Sequence, residues 1–97
     1  MAMSIRFSWS ATKARANAAK HGVTFEEART AFEDPLARIH DDPQHSLFEV
    51  REILVGHSER DRLLLVSFVE RDDVIRIISA RTATRSERDD YEEGTSQ

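Results

Sequence analysis

Two apolar runs joined by three charged residues constrain this chain more than any other feature. Leu63 to Val69 is almost continuously apolar, Arg71-Asp72-Asp73 is a tight polar turn, and Val74 to Ala80 is apolar again. A run of that length bounded by turn residues suits a central strand covered on both faces. Upstream, Glu49 to Gly56 alternates, with Arg51, Ile53 and Val55 on one face. The three segments read as an antiparallel meander.

The flanks read mostly as helices. Ile5, Phe7 and Trp9 alternate with Arg6, Ser8 and Ser10, which gives a short opening strand. Ser10 then caps an alanine-rich helix over Ala11 to His21, with Gly22 just past its end. Ala11, Ala14 and Ala18 form its narrow apolar stripe. Thr24 and Glu27 have capping-box spacing, and Phe25, Ala28 and Phe32 face a core from the next helix. Asp34-Pro35 stops it. Leu36 to Asp41 reads as a short strand or an irregular crossing, and Pro43 to Ser46 as a loop. Thr84 and Glu87 repeat the capping-box spacing and open a last short helix ending near Glu93-Gly94, with a frayed tail beyond. The expected class is α+β in the order β-α-α-β-β-β-β-α: a small antiparallel sheet with helices packed on one face.

At 97 residues there is room for one core, so a single domain over residues 1–97 is expected. No apolar run approaches the ~20 residues of a membrane span. Met1 to Ser8 lacks the apolar stretch of a signal peptide. With no cysteine, disulfides and thiolate metal sites are excluded, and a cytoplasmic location is the default expectation.

The formal charge of −4 argues mildly against a nucleic-acid partner until it is divided along the chain. Met1 to Val23 carries +4, Thr24 to Val50 carries −5, Arg51 to Arg88 carries +1 and Asp89 to Gln97 carries −4. Twelve of the 14 basic residues are arginine, whose planar fork matches phosphate and carboxylate oxygens alike. Such blocks fit a basic cleft on an acidic body, and they also fit ordinary solvated faces.

Three constellations can carry chemistry. On the first helix Lys13, Asn17, Lys20 and His21 share one stripe. Two amines and an imidazole can bind phosphate and move a proton. The same spacing fits a solvated face, with His21 resting on the helix C-terminus. Arg51 and Arg81 lie before and after apolar strands, which puts them at opposite ends of a meander. Arg76 sits mid-strand, where it must reach solvent, a ligand, or a carboxylate such as Glu52 or Glu70. Arg81, Arg85, Arg88 and Tyr91 combine arginine with an aromatic at helical spacing, which suits a phosphate grip with base stacking. An alternative is a surface helix whose arginines pair with Glu87, Asp89, Asp90, Glu92 and Glu93. His40 and His45 are loosely spaced for zinc, so no metal or other cofactor is expected. No Gly-rich phosphate loop, GxSxG or HExxH is present, and no helix-turn-helix pattern marks a direct DNA binder.

Taken together, several strings resemble one family. Phe7-Ser8-Trp9, Lys13, Asn17 and Lys20-His21-Gly22-Val23-Thr24-Phe25-Glu26-Glu27-Ala28 resemble the start of the BrnT toxins. So do Asp34-Pro35, Glu49-Val50-Arg51, Ile75-Arg76-Ile77-Ile78-Ser79-Ala80-Arg81, Ala83-Thr84-Arg85, Glu87-Arg88 and Tyr91. The blocks run in the family's order over roughly residues 5–94. The resemblance implies a RelE-like fold and a ribonuclease toxin of a type II toxin–antitoxin module that inhibits translation. It implies a BrnA-like antitoxin as partner, RNA as substrate, and contact with DNA only through that antitoxin. It places functional weight on Lys20, His21, Arg51, Arg81 and Arg85, with Glu49 and Tyr91 beside them. Two positions depart from the family pattern. Ser10 stands where Asp is common, and either caps the helix. Thr82 stands where Lys is common, which removes one cation from the expected cleft.

Metal-free RNA cleavage needs a base for the 2′-hydroxyl, charge stabilisation at phosphorus and an acid for the 5′-oxygen. Arginine suits only the second task. The expected catalytic set is therefore Arg51 and Arg81 on the phosphate with His21 or Glu49 as base. Lys13, Lys20, Arg76, Arg85, Arg88 and Tyr91 are expected to hold RNA. A competing expectation is a catalytically weak or silent partner that holds the antitoxin and tunes operon repression.

Overall fold

The computed structural model describes residues 5–42 and 50–95. The expected loop at 43–46, His45 and the candidate base Glu49 lie outside the described residues. The elements are β1 (Arg6–Ser8), α1 (Ala11–His21), α2 (Phe25–Thr30) running into a 3-10 turn (Ala31–Glu33), β2 (Arg38–Asp41), β3 (Glu52–His57), β4 (Leu63–Arg71), β5 (Val74–Thr82) and α3 (Arg85–Thr95). Their order is the one expected from the sequence.

The caps explain the helix bounds. The Ser10 hydroxyl accepts from the Lys13 amide at 3.3 Å, and Gly22 closes α1 at φ +69°, a left-handed conformation in which a side chain would be strained. The Thr24 hydroxyl accepts from the Glu27 amide at 3.0 Å. At α3 the box is reciprocal. Thr84 Oγ1 accepts from the Glu87 amide, and Glu87 Oε1 accepts from the Thr84 amide.

The sheet departs from expectation in two ways. Its order is β1-β5-β4-β3-β2, and β1 pairs with β5 in parallel, so the sheet is mixed and not purely antiparallel. Phe7 fixes that placement: its ring meets Phe32 edge-on at 5.2 Å, and Phe32 meets Phe68 at 5.1 Å, pinning β1 beside β5 on the helix-covered face. Second, the helices do not share one face. Val23, Phe25, Ala28 and Ala31 pack on Leu54, Leu64, Val66, Phe68 and Ile77. Tyr91 of α3 instead packs with Val55 and Leu63. The meander carries apolar side chains on both faces, so a second cover is needed, and α3 supplies part of it. Fully burying each of Phe25, Phe68, Leu64 and Ile77 contributes roughly 1.5–3 kcal/mol.

One irregularity decides which side chains reach the second face. The β4–β5 register shifts between Ser67, opposite Ser79, and Phe68, opposite Ile77, leaving Ile78 as the extra residue of a bulge. Ile75 and Ile77 face the helices, and strict alternation would bury Arg81 beneath them. The bulge reverses the parity. Ala80 turns to the helix side opposite Val66, and Arg81 emerges opposite Leu65.

Candidate active site

Arg76 and Arg81 now share the face not covered by α1 and α2. Arg81 is held there by Glu87. Its Nη1 donates to Glu87 Oε1 at 2.7 Å and its Nη2 to Oε2 at 2.8 Å, while Nη1 also reaches the Thr82 carbonyl at 3.3 Å. The Arg81 guanidinium holds the Glu87 carboxyl far below the usual carboxylate range, at about 2, against a smaller opposing effect of burial. The same pairing raises the Arg81 pKa. The Arg81 side chain stays 40% exposed, so its remaining N–H donors are open to an anion.

The Lys20-His21-Gly22 turn is brought to the same end of β5 by Asn17. Asn17 Nδ2 donates to the Val23 carbonyl at 2.9 Å and to the Ala80 carbonyl at 2.8 Å, and Oδ1 accepts from the Ala80 amide at 3.0 Å. β1 pairs with β5 only as far as Arg76, and the Asn17 amide substitutes for a strand further along that edge. Asn17 is therefore a buried tie between α1 and β5, not a member of an exposed polar stripe. Arg62 steadies the turn from below. It donates to the Gly22 carbonyl at 3.1 Å and forms a two-pronged pair with Glu27, which also accepts from Ser58 Oγ at 2.7 Å. These partners, Arg62 first, lower the Glu27 pKa although burial opposes them.

The other expected residues scatter. Lys13 and Lys20 are exposed on α1, and His21 is half-buried at its end. Arg51 precedes β3, and its carbonyl accepts from the Asp42 amide at 3.0 Å. Continuing the β3–β4 register sets Arg51 opposite Val69, four residues along β4 from Leu65, the partner of Arg81. Arg51 and Arg81 are thus separated by roughly 14 Å along the sheet, as the meander implies. Arg76 lies opposite Val69 and is exposed; Glu52 and Glu70 sit on the helix-covered side and do not pair with it. Arg85 and Arg88 are exposed on α3.

Tyr91 corrects an expectation. It is 5% exposed, and its hydroxyl lies 3.1 Å from the Leu36 carbonyl and 3.3 Å from Asp34 Oδ2. Its ring meets His57 edge-on at 5.6 Å. It anchors α3 and offers no free face for a base. Burial, then Asp34, raises its pKa. Asp34, unmarked in the sequence except as a helix stop, is a hub. It accepts from the His57 amide at 2.8 Å and the Leu36 amide at 2.9 Å. Burial pushes its carboxyl up, but these donors outweigh it and the pKa ends below the ordinary value. Beside α3, Arg38, His40, Ile53, Leu65, Asp90 and Tyr91 surround a pocket of about 250 Å3. Among the described residues no three His, Asp or Glu side chains are grouped to hold a metal ion, and no helix is long and apolar enough to cross a membrane.

The family model of the ribonuclease toxin BrnT of type II toxin–antitoxin systems matches residues 9–87. The chain belongs to the BrnT family. The match runs from Trp9 to Glu87 and so includes the His21 turn, Arg51, Arg81 and its carboxylate, but not Arg6, Arg88 or Tyr91. The crystal structure of the Brucella abortus ribonuclease toxin BrnT has a similar fold. It superposes with a TM-score of 0.66 at 20% identity, covering 84% of this chain and 100% of that one. No curated protein matches the sequence. This BrnT-family fold holds Arg81 in a fixed orientation at a strand end, next to the Ala80 backbone that Asn17 ties to α1. Glu87 and Asn17 are the positioning groups: the sequence marked Glu87 by its capping-box spacing and as a candidate partner of the arginines, and put Asn17 on the polar stripe of the first helix, without giving either this role.

Proposed function

We propose that this chain is a metal-independent endoribonuclease that inhibits translation and is neutralised by a BrnA-like antitoxin, with DNA met only through that partner. The observation that carries the reading is the fixed Arg81, next in the chain to the Ala80 backbone that Asn17 ties to α1, in a chain of the BrnT family. The fold is of the RelE ribonuclease kind, formed by one domain over residues 1–97, and the protein acts in the cytoplasm, where its RNA is.

In this mechanism the 2′-oxygen of the substrate attacks phosphorus, the bond from phosphorus to the 5′-oxygen breaks to leave a 2′,3′-cyclic phosphate, and the 5′-oxygen takes its proton from water. Arg81 stabilises the charge that develops on the non-bridging oxygens, and Glu87 keeps its fork aimed without reorganisation during the step. His21 takes the 2′-proton, with Glu49 as the alternative base, and Lys20 holds the phosphate. Arg51, Arg76, Arg85, Arg88 and Lys13 grip the strand to either side.

The test is growth on induction without an antitoxin. Wild type is expected to arrest growth, and Arg81→Ala and His21→Ala are expected to relieve the arrest while remaining folded and antitoxin-bound. Equal toxicity of both variants at equal expression refutes the assignment. Purified wild type is expected to cleave RNA undiminished in a chelator, and inhibition by the chelator refutes metal independence. A second reading is a silent antitoxin-holding partner. It is favoured by the same salt bridge, because Glu87 already compensates the charge Arg81 would offer to phosphate. A wild type that leaves growth unaffected and RNA intact supports that reading.

A further inference from the structure

The open sheet face carries a second arginine cluster at the end away from α3. Arg6 lies opposite Val74 on β1, and Arg71 lies opposite Val74 on β4. Arg76 occupies the next position on that face of β5, opposite Ser8 and Val69. The three arginines line one depression of about 300 Å3, with Asp72 also in its lining. Among the described residues none of the three has a carboxylate within ion-pair distance, Asp72 included. Arg62 and Arg81, by contrast, each have a bidentate acidic partner. Three like charges against the one carboxylate of Asp72 leave the depression net positive, and an anion seated among them relieves the remaining repulsion.

The ground between the cluster and Arg81 is low. On β4 and β5 the intervening pair on this face is Ser67 opposite Ser79. Arg76 and Arg81 are thus roughly 14 Å apart by strand rise on this face, with the Ser67 and Ser79 hydroxyls between them. Phosphate recognition needs arginine and hydroxyl donors of this kind.

We propose that Arg6, Arg71 and Arg76 form a second phosphate-binding subsite, which takes the backbone of a single RNA strand a few nucleotides from the phosphate held by Arg81. The proposal rests on the reading of the chain as acting on RNA, and it adds Arg6 and Arg71, which that reading leaves unused.

The experiment uses the full chain and a 2′-O-methyl oligoribonucleotide of about ten nucleotides, which cannot be cleaved. Affinity is measured as a function of salt for wild type and for Arg6→Ala/Arg71→Ala. Both residues are exposed and outside the core, and melting curves check that the variant is folded. The slope of log affinity against log salt is expected to fall by about 1.4, or ~0.7 for each lost contact to a single strand. Arg71→Ala alone should lose about half of that, and Arg6→Lys/Arg71→Lys should retain the wild-type slope. An unchanged slope in the double alanine variant overturns the proposal, as does a wild type that does not bind the oligonucleotide. A double variant that binds it normally but loses the antitoxin also overturns it, because the cluster is then a protein surface. Since the probe is uncleavable, the subsite is read separately from catalysis. A wild type that binds with the expected slope but cleaves no RNA refutes the proposed enzyme and leaves the subsite standing.

Discussion

Asn17 is the residue whose loss should disturb this protein most for its size. Its amide makes three short hydrogen bonds, at 2.8, 2.9 and 3.0 Å, and the residue is 7% exposed. Asn17→Leu keeps a similar volume but leaves the Ala80 amide, the Ala80 carbonyl and the Val23 carbonyl without partners and without room for water. A buried unsatisfied group costs ~1–3 kcal/mol, so the three together should cost at least about 3 kcal/mol. A domain of this length has a total stability of roughly 5–10 kcal/mol, and each kilocalorie moves its melting point by ~4–8 °C. Asn17→Leu should therefore lower the Tm by at least ~12 °C. Asn17→Ala should cost less, because water can enter the space and bond the orphaned groups.

Asn17→Asp provides the sharpest control. The introduced carboxylate can accept from the Ala80 amide but faces two carbonyl oxygens, so its folded-state pKa rises. Its deficit should be smallest below the unfolded carboxyl pKa of about 4 and should grow as pH rises through the folded value. Urea denaturation followed by Trp9 fluorescence gives the stabilities, since Trp9 is half-buried 5.9 Å from the Phe25 ring. Hydrogen exchange at the Ala80 amide reports the bond directly. An Asn17→Leu protein within ~0.5 kcal/mol of wild type would refute the reasoning, because packing would then be all that Asn17 contributes.

Two further predictions follow from the ion pairs. The Glu87 carboxyl is depressed from 4.5 to about 2, so the stability it contributes is complete above the unfolded value and is lost as pH falls through the folded one. With the pair 32–40% exposed, solvent screening reduces that contribution to ~1–2 kcal/mol. Melting curves between about pH 5 and 2 should show the decline in wild type, and Glu87→Gln should flatten it. Arg62→Met leaves the Glu27 carboxylate, which is 4% exposed, with only the Ser58 hydroxyl and the exposed Arg60 at 3.8 Å, and should cost about 2–3 kcal/mol in chemical denaturation, whereas adding Glu27→Met should recover most of the loss.

What could be read from the sequence divides along a physical line. Helix starts and stops depend on atoms within four residues of each other, so Ser10, Gly22, Thr24 with Glu27, and Thr84 with Glu87 marked them correctly. The β4–β5 hairpin was equally local. The parallel pairing of β1 was not, because a three-residue strand has too little pattern to choose a partner; Phe7 makes that choice by packing on Phe32, 25 residues away in sequence. The face occupied by α3 depended on the leftover apolar side chains of Val55 and Leu65, which alternation shows but does not assign to a helix. The bulge at Ile78 was invisible to a rule of period two, yet it brings Arg81 out from under the helices.

The arginines show why the site itself was harder to read than the fold. Net charge counts Arg62, Arg81 and Arg6 alike, and so does any composition argument. In the folded chain Arg62 is consumed by Glu27 and serves as structure. Arg81 is shared: Glu87 takes part of its fork and aims the rest. Arg6, Arg71 and Arg76 have no carboxylate within reach among the described residues. These three fates come from strand parity and register, which set the faces on which carboxylates and guanidinium groups emerge. Glu52 and Glu70 stand close to Arg76 in the sheet and leave it unpaired because they emerge on the other side. A chain with a formal charge of −4 can therefore keep a cluster of arginines without ion-pair partners, because acids such as Glu52 and Glu70 emerge on the opposite face and Glu87 is taken up by a helix cap and Arg81.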